Sequence, residues 1–260
     1  MSKPAILSLT DVSKRFNAIA AVSNVCLELF EGRIYALIGP NGAGKTTLIN
    51  IISGYVRGDS GRIRLHDRII DSWPVSRRVL HGMARTFQIA QLFGHMTAAE
   101  NVMCGFHPHV AQSLPAVLFS SRSFIMEERK LRERAQQLLD AVGVGEFADE
   151  PAGLLPFGLQ RRLEVARALA TQPSLLLLDE PFAGLSGPEA SEFGRLLQRL
   201  SAQGMCVLVV EHNMPFVLQV AEEAVVLDAG EIVATGRPSE VRKDPRVIEA
   251  YLGELEHDAA

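Results

Sequence analysis

The chain has 260 residues and is 47% hydrophobic, enough to bury a substantial core in one large domain or one domain carrying an inserted subdomain, which excludes disordered and collagen-like classes. Its formal net charge of −4 gives no bulk attraction to a phosphate backbone, so nucleic acid is not an expected partner. Cys26, Cys104 and Cys206 stand far apart without metal-ligand spacing, and their odd number suits the reduced thiols of a cytoplasmic protein.

Val25, Leu27 and Leu29 alternate on one face of a first predicted strand, and Arg33 to Ile38 form another. A Gly-rich turn leads into a helix over roughly Gly44 to Ser53, stopped by Gly54. The run GRIRLHDRII alternates again and predicts a short strand pair. From about Ile89 to Pro151 the pattern turns helical, most clearly over Met126 to Val142, where Leu131, Leu138 and Leu139 share a side. This predicts an inserted helical subdomain, bounded at 89–165 once the following helix start is included. Within it, 107–123 holds two prolines and reads as a loop or broken helical excursion; His107 and His109 lack the further ligands a metal needs and belong to a solvated loop.

After Gly158, Leu159, Leu163, Ala166 and Ala170 recur at helical spacing, with Arg161, Arg162, Glu164 and Arg167 expected to face elsewhere. LLLLDE and VLVVEH are near-continuous apolar strands separated by a helix, as a parallel sheet covered on both faces requires, so the class is α/β. The region 228–260 closes the chain with a hairpin turning at Ala229 and Gly230 and a short helical tail.

Gly39, Pro40, Asn41, Gly42, Ala43, Gly44, Lys45, Thr46 and Thr47 spell a complete G-x-x-x-x-G-K-T between a predicted strand and a predicted helix. Glycines let such a loop curl its N–H groups around a phosphate, and the helix N-terminus adds its positive dipole end. Lys45 is then placed to reach the β- and γ-phosphates, and the Thr46 hydroxyl to ligate Mg²⁺. Asp179 and Glu180 end the LLLLDE strand, where unpaired carboxylates are costly; Mg²⁺ is the expected compensating charge. Asp179 would meet the metal directly or through a bridging group, and Glu180 would act as general base toward water.

Three further runs follow in chain order: TFQ at 86–88, LPFGLQRRLEVARAL at 155–169 and EHNM at 211–214. With the two nucleotide motifs they resemble the ABC ATPase family over nearly the whole chain. The resemblance implies a P-loop NTPase with a RecA-like core, an N-terminal antiparallel β subdomain and an inserted helical subdomain carrying the signature. It also implies ATP and Mg²⁺ as ligands. Gln88 becomes the residue contacting Mg²⁺ and the attacking water, His212 the γ-phosphate switch, Phe16 the ring stacked on adenine, and Gly158 part of a signature that meets ATP on a partner subunit.

RTFQIAQLFGHMTAAENV, EHNM and the ending ATGRPSEVRKDPRVIEAYLG look most like ATPase subunits of branched-chain amino acid importers, with relatives for urea, short amides and other small carboxylates close by. That kinship implies a second ABC ATPase subunit, two integral-membrane permeases and, indirectly, a periplasmic or extracellular substrate-binding protein. No spanning, signal or lipid-anchor segment is legible, so the expected place is peripheral, on the cytoplasmic face of the membrane through the permeases. The signature reads Leu155, Pro156, Phe157, Gly158, Leu159 where the family usually has LSGGQ, and Ser186 stands where many relatives have aspartate. Both departures affect the site completed for a partner and favour a heterodimer over a homodimer. A soluble ABC-type clamp of translation or DNA repair usually has two heads or a long coiled-coil insertion, neither present here. A P-loop kinase or GTPase leaves Gln88, the signature helix and His212 unexplained.

Overall fold

The computed structural model describes residues 4–88, 91–107 and 122–257; Ile89 and most of the 107–123 excursion, His109 included, lie outside the described residues. Two compact units emerge, one built from 1–88 with 174–260 and the other from 89–173. In chain order the first unit begins with β1 (Leu7–Phe16), β2 (Ile19–Leu29), β3 (Ile34–Ile38), α1 (Lys45–Ser53), β4 (Ser60–Leu65), β5 (Arg68–Ile69), α2 (Val75–Leu80) and β6 (Met83–Arg85). The second unit contributes α3 (Ala98–Gly105), α4 (Arg122–Val142) and α5 (Phe157–Leu169). The first unit then resumes with β7 (Leu175–Asp179), α6 (Gly187–Ala202), β8 (Cys206–Val210), α7 (Met214–Val220), β9 (Glu223–Asp228), β10 (Glu231–Gly236), α8 (Pro238–Val241) and α9 (Pro245–His257).

In the first unit a four-stranded antiparallel sheet, ordered β2-β1-β4-β5, accompanies a six-stranded sheet ordered β10-β9-β3-β8-β7-β6. Only the β9–β10 pair of the larger sheet is antiparallel. Every residue of β3, β7 and β8 is buried, as their unbroken apolar runs predict for strands covered on both faces. Alternate side chains feed separate cores. Tyr35 and Leu37 join Leu175, Leu177 and Leu208 on one face, while Ala36 and Ile38 join Val217, Val226 and Val241 on the other.

The hairpin turn between β9 and β10 puts Ala229 at φ 45° and Gly230 at φ 83°, the paired left-handed geometry that a two-residue turn between twisted strands requires. The Gly230 N–H donates to the Ala43 carbonyl at 3.0 Å, so this distant turn braces the glycine loop after β3. The strands β3, β6, β7 and β8 run parallel, so the segments leaving their C-terminal ends emerge at one rim of the sheet, where ligands bind in open α/β folds.

In the helical unit, Thr97 caps α3: its hydroxyl accepts the Glu100 N–H at 3.2 Å, and the Glu100 carboxylate accepts the Thr97 N–H at 2.7 Å. Ala135, Leu139 and Val142 of α4 point inward. The expectation that Arg161 and Glu164 face away from the packed side of α5 is corrected. They are only 5% and 3% exposed and form an ion pair at 3.2 Å. The reason is that α5 packs against both α3 and α4, so a second face is covered and its charges must neutralise one another. Glu164 also accepts the Gln91 N–H at 3.0 Å, and burial pushes its carboxyl above the usual carboxylate range.

Candidate functional site

The loop from Gly39 to Gly44 turns because three of its residues adopt backbone angles that favour glycine: φ is 152° at Gly39, 78° at Gly42 and 99° at Gly44. Two of them also lack room for a side chain. A Cβ on Gly39 would lie 1.9 Å from the Leu227 carbonyl oxygen, and one on Gly44 would lie 2.2 Å from that of Ala21. The loop delivers its chain directly into α1, whose first residue, Lys45, is 9% exposed. Lys45 Nζ donates to the Gly39 and Pro40 carbonyls at 2.7 and 2.8 Å, which holds the ammonium over the loop. Thr46, next in α1, is exposed at the helix N-terminus, and Thr47 is half-buried beside it. Gly54 ends α1 at φ 87°, as its sequence position predicts.

At the end of β7, Asp179 and Glu180 have different surroundings. Asp179 Oδ2 accepts from Arg85 Nη2 at 2.9 Å, with side-chain exposures of 12% and 7%. An arginine thus stands beside Asp179 as a compensating charge, a partner that the sequence pattern does not point to. Buried carboxylates need a cation, and the sheet order places one there from β6, the parallel neighbour of β7. Its sequence signal was a lone Arg85 at the end of a short strand, directly before TFQ.

Glu180 leaves the strand at φ 46°, an uncommon angle for a residue with a side chain and one that concentrates at functional positions. Its Oε2 accepts from Gln88 Nε2 at 2.8 Å, and its Oε1 lies 3.7 Å from His212 Nδ1. Gln88, Glu180 and His212, far apart in sequence, thus meet at the sheet rim. The His212 side chain is 58% exposed, free to meet a ligand from solvent.

Glu211, one residue before His212, is 2% exposed, and sequence reasoning gave it no role. Its carboxylate accepts the Phe182 and His212 N–H groups at 3.2 Å and thereby ties the segment after Glu180 to the one bearing His212. Burial pushes its carboxyl up against the opposing pull of these N–H groups. The available signal was an acidic residue closing an apolar strand, a costly placement unless backbone donors meet it.

Phe16 stands 47% exposed at the end of β1, with Lys14 Nζ 5.3 Å from its ring centroid, so it is not a core aromatic. Gly158 lies in the helical unit, buried in the first turn of α5. Pro156 is the N-cap there at φ −52°, and its carbonyl accepts the Leu159 and Gln160 N–H groups, so a residue without an N–H still starts the helix. Ser186 caps α6: the Glu189 carboxylate accepts both its N–H and its hydroxyl, at 2.8 and 2.6 Å.

No group of three His, Cys, Asp or Glu side chains fit to hold a metal exists among the described residues. Thr46 and Asp179 nevertheless fit Mg²⁺, which prefers one or two protein ligands completed by phosphate oxygens and water to an all-protein cage.

A glycine loop leading into a helix, a strand-end acidic pair and an exposed histidine on one sheet rim define an ATP-hydrolysing nucleotide-binding cassette. The chain belongs to the ABC transporter family, whose model matches residues 22–183, and a second model, the branched-chain amino acid ATP-binding cassette transporter, matches 231–257. The high-affinity branched-chain amino acid transport ATP-binding protein BraF of Pseudomonas aeruginosa is 40% identical over 98% of this chain and 100% of its own length. LivG of Escherichia coli K12, of the same description, is 39% identical over the same shares. The solved ADP conformation of an ATP-binding cassette of an ABC transporter superposes with a TM-score of 0.84 at 32% identity, covering 96% of this chain and 99% of that one.

Proposed function

We propose that this chain is the ATP-hydrolysing subunit of an importer for branched-chain amino acids or closely related small amino acids and amides. The observation that carries the catalytic half is the convergence of Gln88 and His212 on the Glu180 carboxylate beside Asp179. The cargo half is supported by the C-terminal model match at 231–257 and by the relatives described as branched-chain amino acid transport ATP-binding proteins. A soluble ABC-type clamp has no comparable support. No helix among the described residues is long and apolar enough to cross a membrane. The kinship with transporter ATP-binding proteins supports separate permease subunits that carry the cargo, with this chain peripheral to them on the cytoplasmic face.

In this reading Gly39 to Thr47 cradle the phosphates, with Asn41 and Ala43 offering backbone to the anion and Lys45 its charge. Thr46, Asp179 and Gln88 serve Mg²⁺, which supplies charge neutralisation on the phosphates when bound. Glu180 takes the proton of the attacking water, Gln88 orients that water and His212 contacts the γ-phosphate. Phe16 stacks on the adenine. Phe16→Ala is expected to weaken ATP binding by about 1–3 kcal/mol, the usual worth of a base–aromatic stack, with little effect on inorganic triphosphate. Calorimetry with both ligands tests it; an equal loss for both removes Phe16 from the adenine site.

The partner is a second ATPase subunit, each ATP lying between one chain's phosphate loop and the other's signature. Pro156 and Ser186 leave the site this chain completes weaker than its own Lys45 and Glu180 side, which favours a heterodimer. The isolated chain is expected to hydrolyse ATP slowly, and addition of the partner subunit and permeases to raise the rate well above the sum of the parts. Steady-state phosphate release from each component and from the assembled transporter checks this. Full activity from the chain alone as a homodimer removes the heterodimer argument.

A further inference from the structure

We propose that Arg85 is a positioning residue for Asp179, fixing the orientation of that carboxylate for the metal and tying it to the helix that follows the phosphate loop. The inference rests on the reading of Asp179 as part of the Mg²⁺ site and goes beyond it, because Arg85 touches neither nucleotide nor metal in that reading.

Arg85 ends β6, and β6 pairs in parallel with β7 so that Arg85 lies opposite Leu177. From there the side chain reaches the strand end, where Nη2 meets Asp179 Oδ2 at 2.9 Å. The other branch of the guanidinium reaches α1: Nη1 donates to Asn50 Oδ1 at 2.7 Å and to Ser53 Oγ at 2.9 Å. One planar group thereby joins β7, which carries Asp179, to α1, which carries Lys45 and Thr46. The rings of Phe87 and Tyr55 lie 5.0 and 5.5 Å from its Cζ and confine the plane of the fork.

The burial and the hydrogen bonds argue that this arrangement is more than packing. With side-chain exposures of 7% and 12%, the pair is shielded from water, so its geometry is set by the protein and not averaged by solvent. Arg85 Nε is buried and has no hydrogen-bond partner among the described residues. An aliphatic side chain would fill this space without that cost, so the charge is retained for what Nη1 and Nη2 hold. The same short segment continues to Gln88, whose amide meets Glu180. Strand register thus sends Arg85 to Asp179 and Gln88 to the next residue, and both carboxylates take their orientation from one segment.

A group that orients a metal-binding side chain costs about 10- to 100-fold in metal affinity when removed. The test uses the full-length chain with a non-hydrolysable ATP analogue and Mn²⁺ as probe, free Mn²⁺ being read by electron paramagnetic resonance, for Arg85→Met, Arg85→Lys, Asp179→Asn and the Arg85→Met/Asp179→Asn double variant. Arg85→Met is expected to weaken Mn²⁺ binding about ten-fold, Arg85→Lys less, and the double variant no more than Asp179→Asn alone. Thermal unfolding of each variant accompanies the measurement, and Arg85→Lys, which keeps charge and bulk, stands in if Arg85→Met does not fold. Unchanged or tighter Mn²⁺ binding in the Arg85 variants, or additive losses in the double variant, overturns the inference alone. Unchanged binding in Asp179→Asn overturns the metal reading of Asp179 and this inference with it.

Discussion

Replacing Glu180 by glutamine is expected to leave ATP binding intact while turnover falls by about 10²- to 10⁴-fold, the range general-base catalysis contributes. The amide matches the carboxylate in shape and can still meet Gln88 and His212, which stand 2.8 and 3.7 Å from its two oxygens. It cannot take a proton from water. The strained φ of 46° at this position is unaltered by the exchange, so the variant isolates the chemistry from the backbone. Single-turnover phosphate release, set beside calorimetric ATP affinity, separates the two effects. Turnover near that of the unaltered chain would falsify the assignment of Glu180.

Lys45→Ala is expected to act on binding itself. The ammonium bonds the carbonyls of Gly39 and Pro40 and, with nucleotide, would add charge-assisted bonds to the β- and γ-phosphates. Bonds to charged groups are worth about 1.5–3 kcal/mol each, so affinity should fall by roughly ten-fold or more. Loss of the ammonium also leaves two loop carbonyls without this donor, so a modest drop in melting temperature should accompany the weaker binding. Unchanged ATP affinity by calorimetry in a folded variant would remove Lys45 from the phosphate site.

Much of the site could be read from local patterns because each motif is short and chemically explicit. A G-x-x-x-x-G-K-T placed between a strand and a helix needs no distant contact to be recognised, and an apolar strand ending in Asp179 and Glu180 announces a costly pair of charges. The helix ending at Gly54 and the turn at Ala229 and Gly230 were legible for the same reason: the required backbone angles are properties of a few adjacent residues. The role of Arg85 and the burial of Arg161 with Glu164 were not. Charged residues at helical spacing look alike whether the second face of a helix meets solvent or another helix, and only the packing of α3 and α4 decides between them.

Residue type and short-range spacing are enough to give the α/β class, the phosphate loop, Glu180, Gln88 and His212 as candidates, and the family resemblance. What those residues touch depends on how the strands are ordered in the sheet. Parallel pairing of β6 with β7 brings Arg85 to Asp179, and the rim of the sheet brings Gln88 and His212 to Glu180 across 92 and 32 residues of chain respectively. The Gly230 turn likewise reaches back to brace the loop at Ala43. Strand order is a long-range property, fixed by which apolar faces can be buried together, and no local pattern encodes it.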